Sequence, residues 1–171
     1  MVILLAGAGV ATYKHFGGSD KPANSAPGEQ LPVQTEAFSF VLPATATVEP
    51  LANVVVGVQT TGTHWTVGSG DFHLQVMAIN FGTVLDDATQ QAAFDETING
   101  IATQTIGTIL SDTWILDGGV YQRDTIMAVP GGMIHMKSYG KGTWAVFMFG
   151  PSSGSERPPG FTELITSFLF V

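Results

Sequence analysis

Apolar and β-branched residues between positions 108 and 150 fall into four stretches. Asp117-Gly118-Gly119, Pro130-Gly131-Gly132 and Gly140-Lys141-Gly142 separate them. Glycines at such joints accept the positive φ of tight hairpin turns, while Ile, Val, Thr, Trp, Tyr and Phe suit a pleated, half-buried surface. The pattern predicts four antiparallel strands in sequence order, a meander. Its last stretch, Trp144 to Phe149, is apolar at both parities. That predicts a central strand buried on both faces.

The flanking segments predict what covers this sheet. Phe38, Phe40 and Leu42 alternate with small residues before Pro43, which reads as a first strand with those three side chains inward. Residues 54–58 read as a short strand. His64 to Val67 and Phe72 to Phe81 flank Gly68-Ser69-Gly70-Asp71, a hairpin signal. Phe94, Ile98, Ile101, Ala102 and Thr105 make one helical stripe, with Asp87 and Gln90 at capping-box spacing and Gly107 as the stop. Pro158-Pro159 open a last helix with a stripe of Phe161, Leu164, Ile165, Phe168 and Leu169. Two amphipathic helices around a doubly buried sheet predict an α+β fold, an α/β/α sandwich with a mostly antiparallel sheet and a C-terminal amphipathic helix.

The N-terminal part has another character. Residues 1–11 are almost wholly apolar, and Lys14 and His15 follow. The run is shorter than the ~20 residues of a spanning helix. The expectation is that residues 1–16 are part of a transmembrane anchor or signal segment whose start lies further upstream. Residues 17–36 hold Gly17-Gly18-Ser19, Pro22, Pro27-Gly28 and Pro32 without apolar periodicity, as a flexible linker would. Residues 37–171 form the globular domain.

Composition narrows the chemistry. The 171 residues carry a net charge of −8 with only six Lys and Arg, two of them at Lys14 and Lys21. Nucleic-acid binding needs a basic cluster, and none is present. There is no cysteine, which removes disulfides, thiolate chemistry and Cys-ligated metals. Gly150-Pro151-Ser152-Ser153-Gly154 fits the letters of G-x-S-x-G but reads as a loop before the last helix, not as a nucleophile elbow, and no phosphate-binding glycine loop occurs. His64, His73 and His135, with Asp71, are the residue types of a three-His metal site, but no pair has the i, i+2 or i, i+4 spacing that fixes two ligands locally. They read as structural, and no cofactor or metal is expected. Arg123, Tyr121 and Thr125 project from one side of a strand and Gln122 and Asp124 from the other. Arg123 is expected to pair with a carboxylate.

The element order, from the F-x-F-x-x-P strand (Phe38 to Pro43) through hairpin, helix, meander and terminal helix, resembles the fold of PsbP-like and Ran-binding Mog proteins. Exported actinobacterial LpqN-type lipoproteins are included in the likeness, together with Tyr121-Gln122-Arg123 and the Gly131-Gly132 turn. It implies a binding or accessory role and transfers no catalytic residue. Lipoproteins of that type carry a lipidated Cys that this chain lacks, so a helix would have to anchor it. The expected function is therefore a membrane-anchored extracytoplasmic binding module of the bacterial cell envelope. Its expected partner, besides the membrane, is a protein or a small apolar ligand, met at the meander's edge and turns around Tyr121, Arg123, Lys137, Tyr139 and Lys141. A cell-envelope hydrolase using His64, His73 or His135, and a structural or secretion-apparatus component, are the alternatives.

Overall fold

A computed structural model describes residues 30–43, 46–68 and 73–171. The expected anchor at 1–16, residues 17–29 of the expected linker, and Ser69 to Phe72 of the hairpin turn lie outside the described residues. The domain is an α+β fold built mostly of antiparallel strands. They are β1 (Leu31–Gln34), β2 (Phe38–Leu42), β3 (Ala46–Val55), β4 (Val58–Val67), β5 (Leu74–Asn80), β6 (Thr108–Asp117), β7 (Val120–Val129), β8 (Gly132–Lys141), β9 (Trp144–Ser152) and β10 (Leu169–Phe170). The helices are α1 (Asp87–Gln104) and α2 (Phe161–Thr166).

The meander forms as its turn chemistry predicts: β6 to β9 are consecutive neighbours, and Gly118 and Gly119 between β6 and β7 both have positive φ. β9 is the fourth strand of a seven-stranded sheet of order β3-β4-β5-β9-β8-β7-β6. Its two parities feed two cores. Ala145, Phe147 and Phe149 join Phe94, Ile98 and Ile101 of α1 in one, with Met127, Ile134 and Met136 from β7 and β8. Val146 and Met148 join Phe38, Phe40 and Leu42 of β2 and Phe161 and Leu164 of α2 in the other.

Local readings shift where non-local contacts decide. The helix α1 is capped one residue earlier than the Asp87–Gln90 spacing implied. Asp86 is the N-cap, its Oδ1 accepting the Thr89 N–H at 2.7 Å, and Gln90 is buried instead of reaching back. Residues 54–58 are a turn and two strand ends: Val56 and Gly57 take positive φ between β3 and β4, and the Val56 N–H donates to Glu96 Oε2 of α1 at 2.8 Å. β1 lies inside the expected 17–36 linker. It pairs with β2 from Leu31↔Leu42 to Gln34↔Ser39, so its residues belong to the fold. The last helix begins at Phe161 behind Gly160, not at the Pro pair, and stops at Thr166. The Ser167 hydroxyl accepts the Val41 N–H and the Val171 N–H donates to the Ala37 carbonyl. These bonds draw Leu169 and Phe170 into a small sheet of order β1-β2-β10.

Behind α1 the left-handed position is Ile106 (φ 54), not Gly107. A β-branched residue there costs about 1–2 kcal/mol, and Ile106 is 80% exposed, so little packing offsets it. Ile106→Gly is therefore expected to raise unfolding stability by about 0.5–1 kcal/mol after the glycine's own entropy cost. An unchanged or lower midpoint in urea would contradict this strain.

Candidate functional site

The two faces of the sheet are not covered equally. On the α1 side, Tyr121, Arg123, Thr125 and Met127 of β7 are all buried. On the other side the intervening Gln122, Asp124, Ile126 and Ala128 are only half-buried. The second core draws on β2, β4, β5, β9 and α2 and contains no residue of β6 or β7. The cover formed by the small sheet and α2 thus stops at about β8. Beyond it the second face is less covered: Ser111, Thr113 and Ile115 of β6 are exposed, and Asp124 and Ile126 of β7 and Lys137 of β8 are half-buried. The pairing Ser111↔Ile126↔His135 and Thr113↔Asp124↔Lys137 puts these residues side by side across three strands. A β-bulge between Ile109 and Ser111 sets that register on β6.

Where the open half meets the cover, the loop after β9 overhangs the sheet and closes a cavity of about 240 Å³. Ser111, Thr113, Asp124, His135, Arg157 and Phe161 are in its wall. His135 is 4% exposed, and its buried Nε2 has no hydrogen-bond partner among the described residues. An unpaired buried polar atom is costly enough to require an explanation. Burial pushes the imidazole below the ordinary histidine range, against a hydrogen bond with the Gly154 backbone, and the nearby Arg157 charge adds to the lowering. The ring is therefore neutral near pH 7. Asp124 is held by Lys137 at 2.7 Å, whereas Arg157 forms no ion pair among the described residues.

The five anticipated contact residues split between the faces. Tyr121 and Arg123 lie under α1. Arg123 donates from Nε to Asp112 Oδ1 at 2.8 Å and from Nη2 to Asp112 Oδ2 at 2.5 Å, and its Nη1 meets Asp95 Oδ1 of α1. That fork makes Arg123 the structural pair expected of it, tying β6, β7 and α1 together. Its hydrogen bonds hold the Asp112 carboxyl below the usual range. Tyr121 stacks on Trp114 at 4.9 Å, and a hydrogen bond with Asp87 pushes its phenol up to about 12. Neither presents itself to a partner. Lys137, Tyr139 and Lys141 share the second face of β8. The Tyr139 ring stacks on Phe168 at 4.3 Å and burial pushes its pKa up to about 12. Lys137 sits 5.5 Å from the Tyr139 ring centre, and Lys141 is exposed 5.7 Å from the Phe170 ring centre.

The three histidines do not converge. His64 and His73 flank Gln75, with His64 Nε2 to Gln75 Oε1 at 3.0 Å and His73 Nε2 to Gln75 Nε2 at 2.6 Å. His64 pairs in register with Met77 of the first-core parity, while His135 lies on the opposite face. No group of three metal-ligating side chains occurs among the described residues, and Asp71 is outside them. Ser111, Thr113 and Arg157 escaped the sequence reading, because sheet register brings the first two, and the loop after β9 the third, to the cavity that His135 lines. The available signal was Arg157, one of six basic residues, in a Gly/Ser/Pro-rich loop.

Burial lowers the pKa of both His64 and His135. Above the unfolded value of about 6.5 both states are neutral and nothing is lost. As the pH falls through that value the unfolded chain takes up protons first, so stability falls with pH. The melting temperature is expected to drop between pH 7 and pH 5, and a His64→Gln/His135→Gln variant should show a shallower drop. Equal slopes would contradict it.

No protein-family model matches the chain, and comparison with curated proteins finds no match.

Proposed function

We propose that this chain is a non-catalytic binding or accessory module, tethered to the membrane through its N-terminal segment and displayed outside the cytoplasm in a bacterial cell envelope. The observation that carries the reading is the half-open second face, where Ser111, Thr113 and Ile115 of β6 are exposed beyond the edge of the second core. In this reading the domain is a layered sandwich, with α1 on one side and β2 and α2 on the other, consistent with the resemblance to PsbP-like proteins. The apolar run at residues 1–11 supports the tether; no helix among the described residues is long and apolar enough to cross a membrane. Fractionation of cells expressing the gene from its natural start tests the reading. The protein should sediment with membranes and be degraded by protease added to spheroplasts, and recovery wholly in the cytosol would sink it.

The hydrolase alternative has one observation in its favour: His135 shares a cavity wall with Ser111 and Asp124. Yet among the described residues His135 Nε2 has no hydrogen-bond partner and Asp124 is engaged by Lys137, so no nucleophile–base–orienter relay is connected among them.

A further inference from the structure

We propose that the β6 edge of the seven-stranded sheet is a homodimer interface, at which a second copy of this chain adds its own β6 antiparallel across a two-fold axis at Trp114. The inference goes beyond the binding module proposed above and does not depend on it.

The large sheet ends in two long edge strands, β3 and β6, and the two are not alike. β3 carries Pro50 near its middle, whose nitrogen has no hydrogen to offer an added strand. β6 carries no Pro, Lys or Arg between Thr108 and Asp117, and every residue in it except Ile109 and Trp114 is exposed. Leu110, Ile115 and Leu116 are 56–57% exposed on this strand, whose outer side pairs with no strand among the described residues. Such an edge is a template for pairing, because another extended backbone satisfies its outward N–H and C=O groups.

The register identifies the second strand. The β-bulge between Ile109 and Ser111 ends the regular edge on one side, and the positive-φ Gly118 begins the turn on the other. The regular run is Ser111 to Asp117, and its midpoint is Trp114. Antiparallel pairing about that midpoint uses the whole run. Trp114 meets the other copy's Trp114, Thr113 meets Ile115, Asp112 meets Leu116 and Ser111 meets Asp117. Residues opposite each other must share a face of the sheet, and in each of these pairs they do, as the pairing of β6 with β7 shows. No carboxylate faces a carboxylate, and Asp112 is already held by Arg123. An axis at Thr113 would set Leu116 against the bulge, and one at Asp112 would oppose like charges. The run is complementary to itself, which is what a two-fold dimer requires.

The contact is small. Pairing over this run buries roughly 1,000 Å² across both copies, the lower limit of specific interfaces, so the dimer is weak and reversible. The charge of −8 on each copy adds a repulsion that salt screens.

Disulfide trapping tests the register. The chain has no cysteine, so introduced ones report alone. Full-length Ser111→Cys and Asp117→Cys chains, in detergent and about 0.3 M salt, are mixed and mildly oxidised. In the proposed dimer position 111 lies opposite position 117 of the other copy, within disulfide reach, while like positions are ~20 Å apart. Linked dimers are expected at least tenfold faster in the mixture than in either variant alone. Adding Ile115→Asp to both chains should slow linking at least tenfold. Val48→Asp, at a residue 55% exposed on the β3 edge, should leave it unchanged. No linked dimer, equal rates in the mixture and the single variants, no slowing by Ile115→Asp, or equal slowing by Val48→Asp would each overturn the proposal.

Discussion

Phe94→Ala is expected to cost about 3–5 kcal/mol of unfolding stability, the largest loss of any single truncation considered. Phe94 is fully buried at the centre of α1 and joins three elements. Its ring lies 5.1 Å from Phe147 of β9 and 6.4 Å from Trp114 of β6. It also lies against Gly140 of β8, where an added Cβ would be 3.0 Å from Phe94 Cζ and would overlap Gln90 Nε2. The side chains of Phe94 and Gln90 thus fill the space between α1 and the β8 backbone, and removing the ring leaves a cavity there. Urea unfolding measures the effect. A loss below about 1 kcal/mol would mean that α1 repacks freely and that the first core is not the rigid support described here.

Arg123→Ala is expected to cost about 3 kcal/mol, at the lower end for breaking a buried ion pair. Arg123 is 8% exposed, but its partners Asp112 and Asp95 reach solvent, which moderates the penalty of leaving them unpaired. Thr125 also donates to Asp112, at 3.0 Å. The double variant Arg123→Met/Asp112→Leu should recover part of the loss, since only Asp95, whose side chain reaches solvent, is then left unpaired. The pH dependence follows from the lowered Asp112 pKa. The stability it contributes is complete above the unfolded carboxylate value of about 3.9 and is lost as pH falls towards the folded value. In Arg123→Ala that acid-side loss should shrink. Equal stability of Arg123→Ala and the parent protein at pH 7 would contradict the role of the pair.

The readable parts of the sequence were those set by short-range periodicity. Phe38, Phe40 and Leu42 are inward, the stripe from Phe94 to Ala102 is buried, and β9 is central with both parities in core. The alternation along β7 placed Arg123 and Thr125 opposite Gln122 and Asp124. What failed depended on partners distant in sequence. Gly140 read as a turn residue, yet it pairs with Tyr121 and Ala145 within β8, and its missing Cβ leaves room for Gln90 and Phe94 of α1. Phe168 fits a helical stripe and Phe168 with Phe170 fits a strand. The bonds from Val41 and to Ala37, more than 120 positions away, decide for the strand. The candidate site has the same difficulty. Ser111, His135 and Arg157 come from β6, β8 and a loop, with no local spacing to betray them. Lys137, Tyr139 and Lys141 lie on the second face of the sheet, and Tyr121 and Arg123 on the first.

The central claim is that binding occurs on the uncovered half of the second face. Site-specific photo-crosslinking in intact cells tests it most directly, with the photoreactive residue placed in turn at Thr113 on that face and at Gln91 on the exposed side of α1. The account predicts a discrete adduct, or protection by bound ligand, at position 113 and neither at position 91. Adducts confined to position 91 would contradict it.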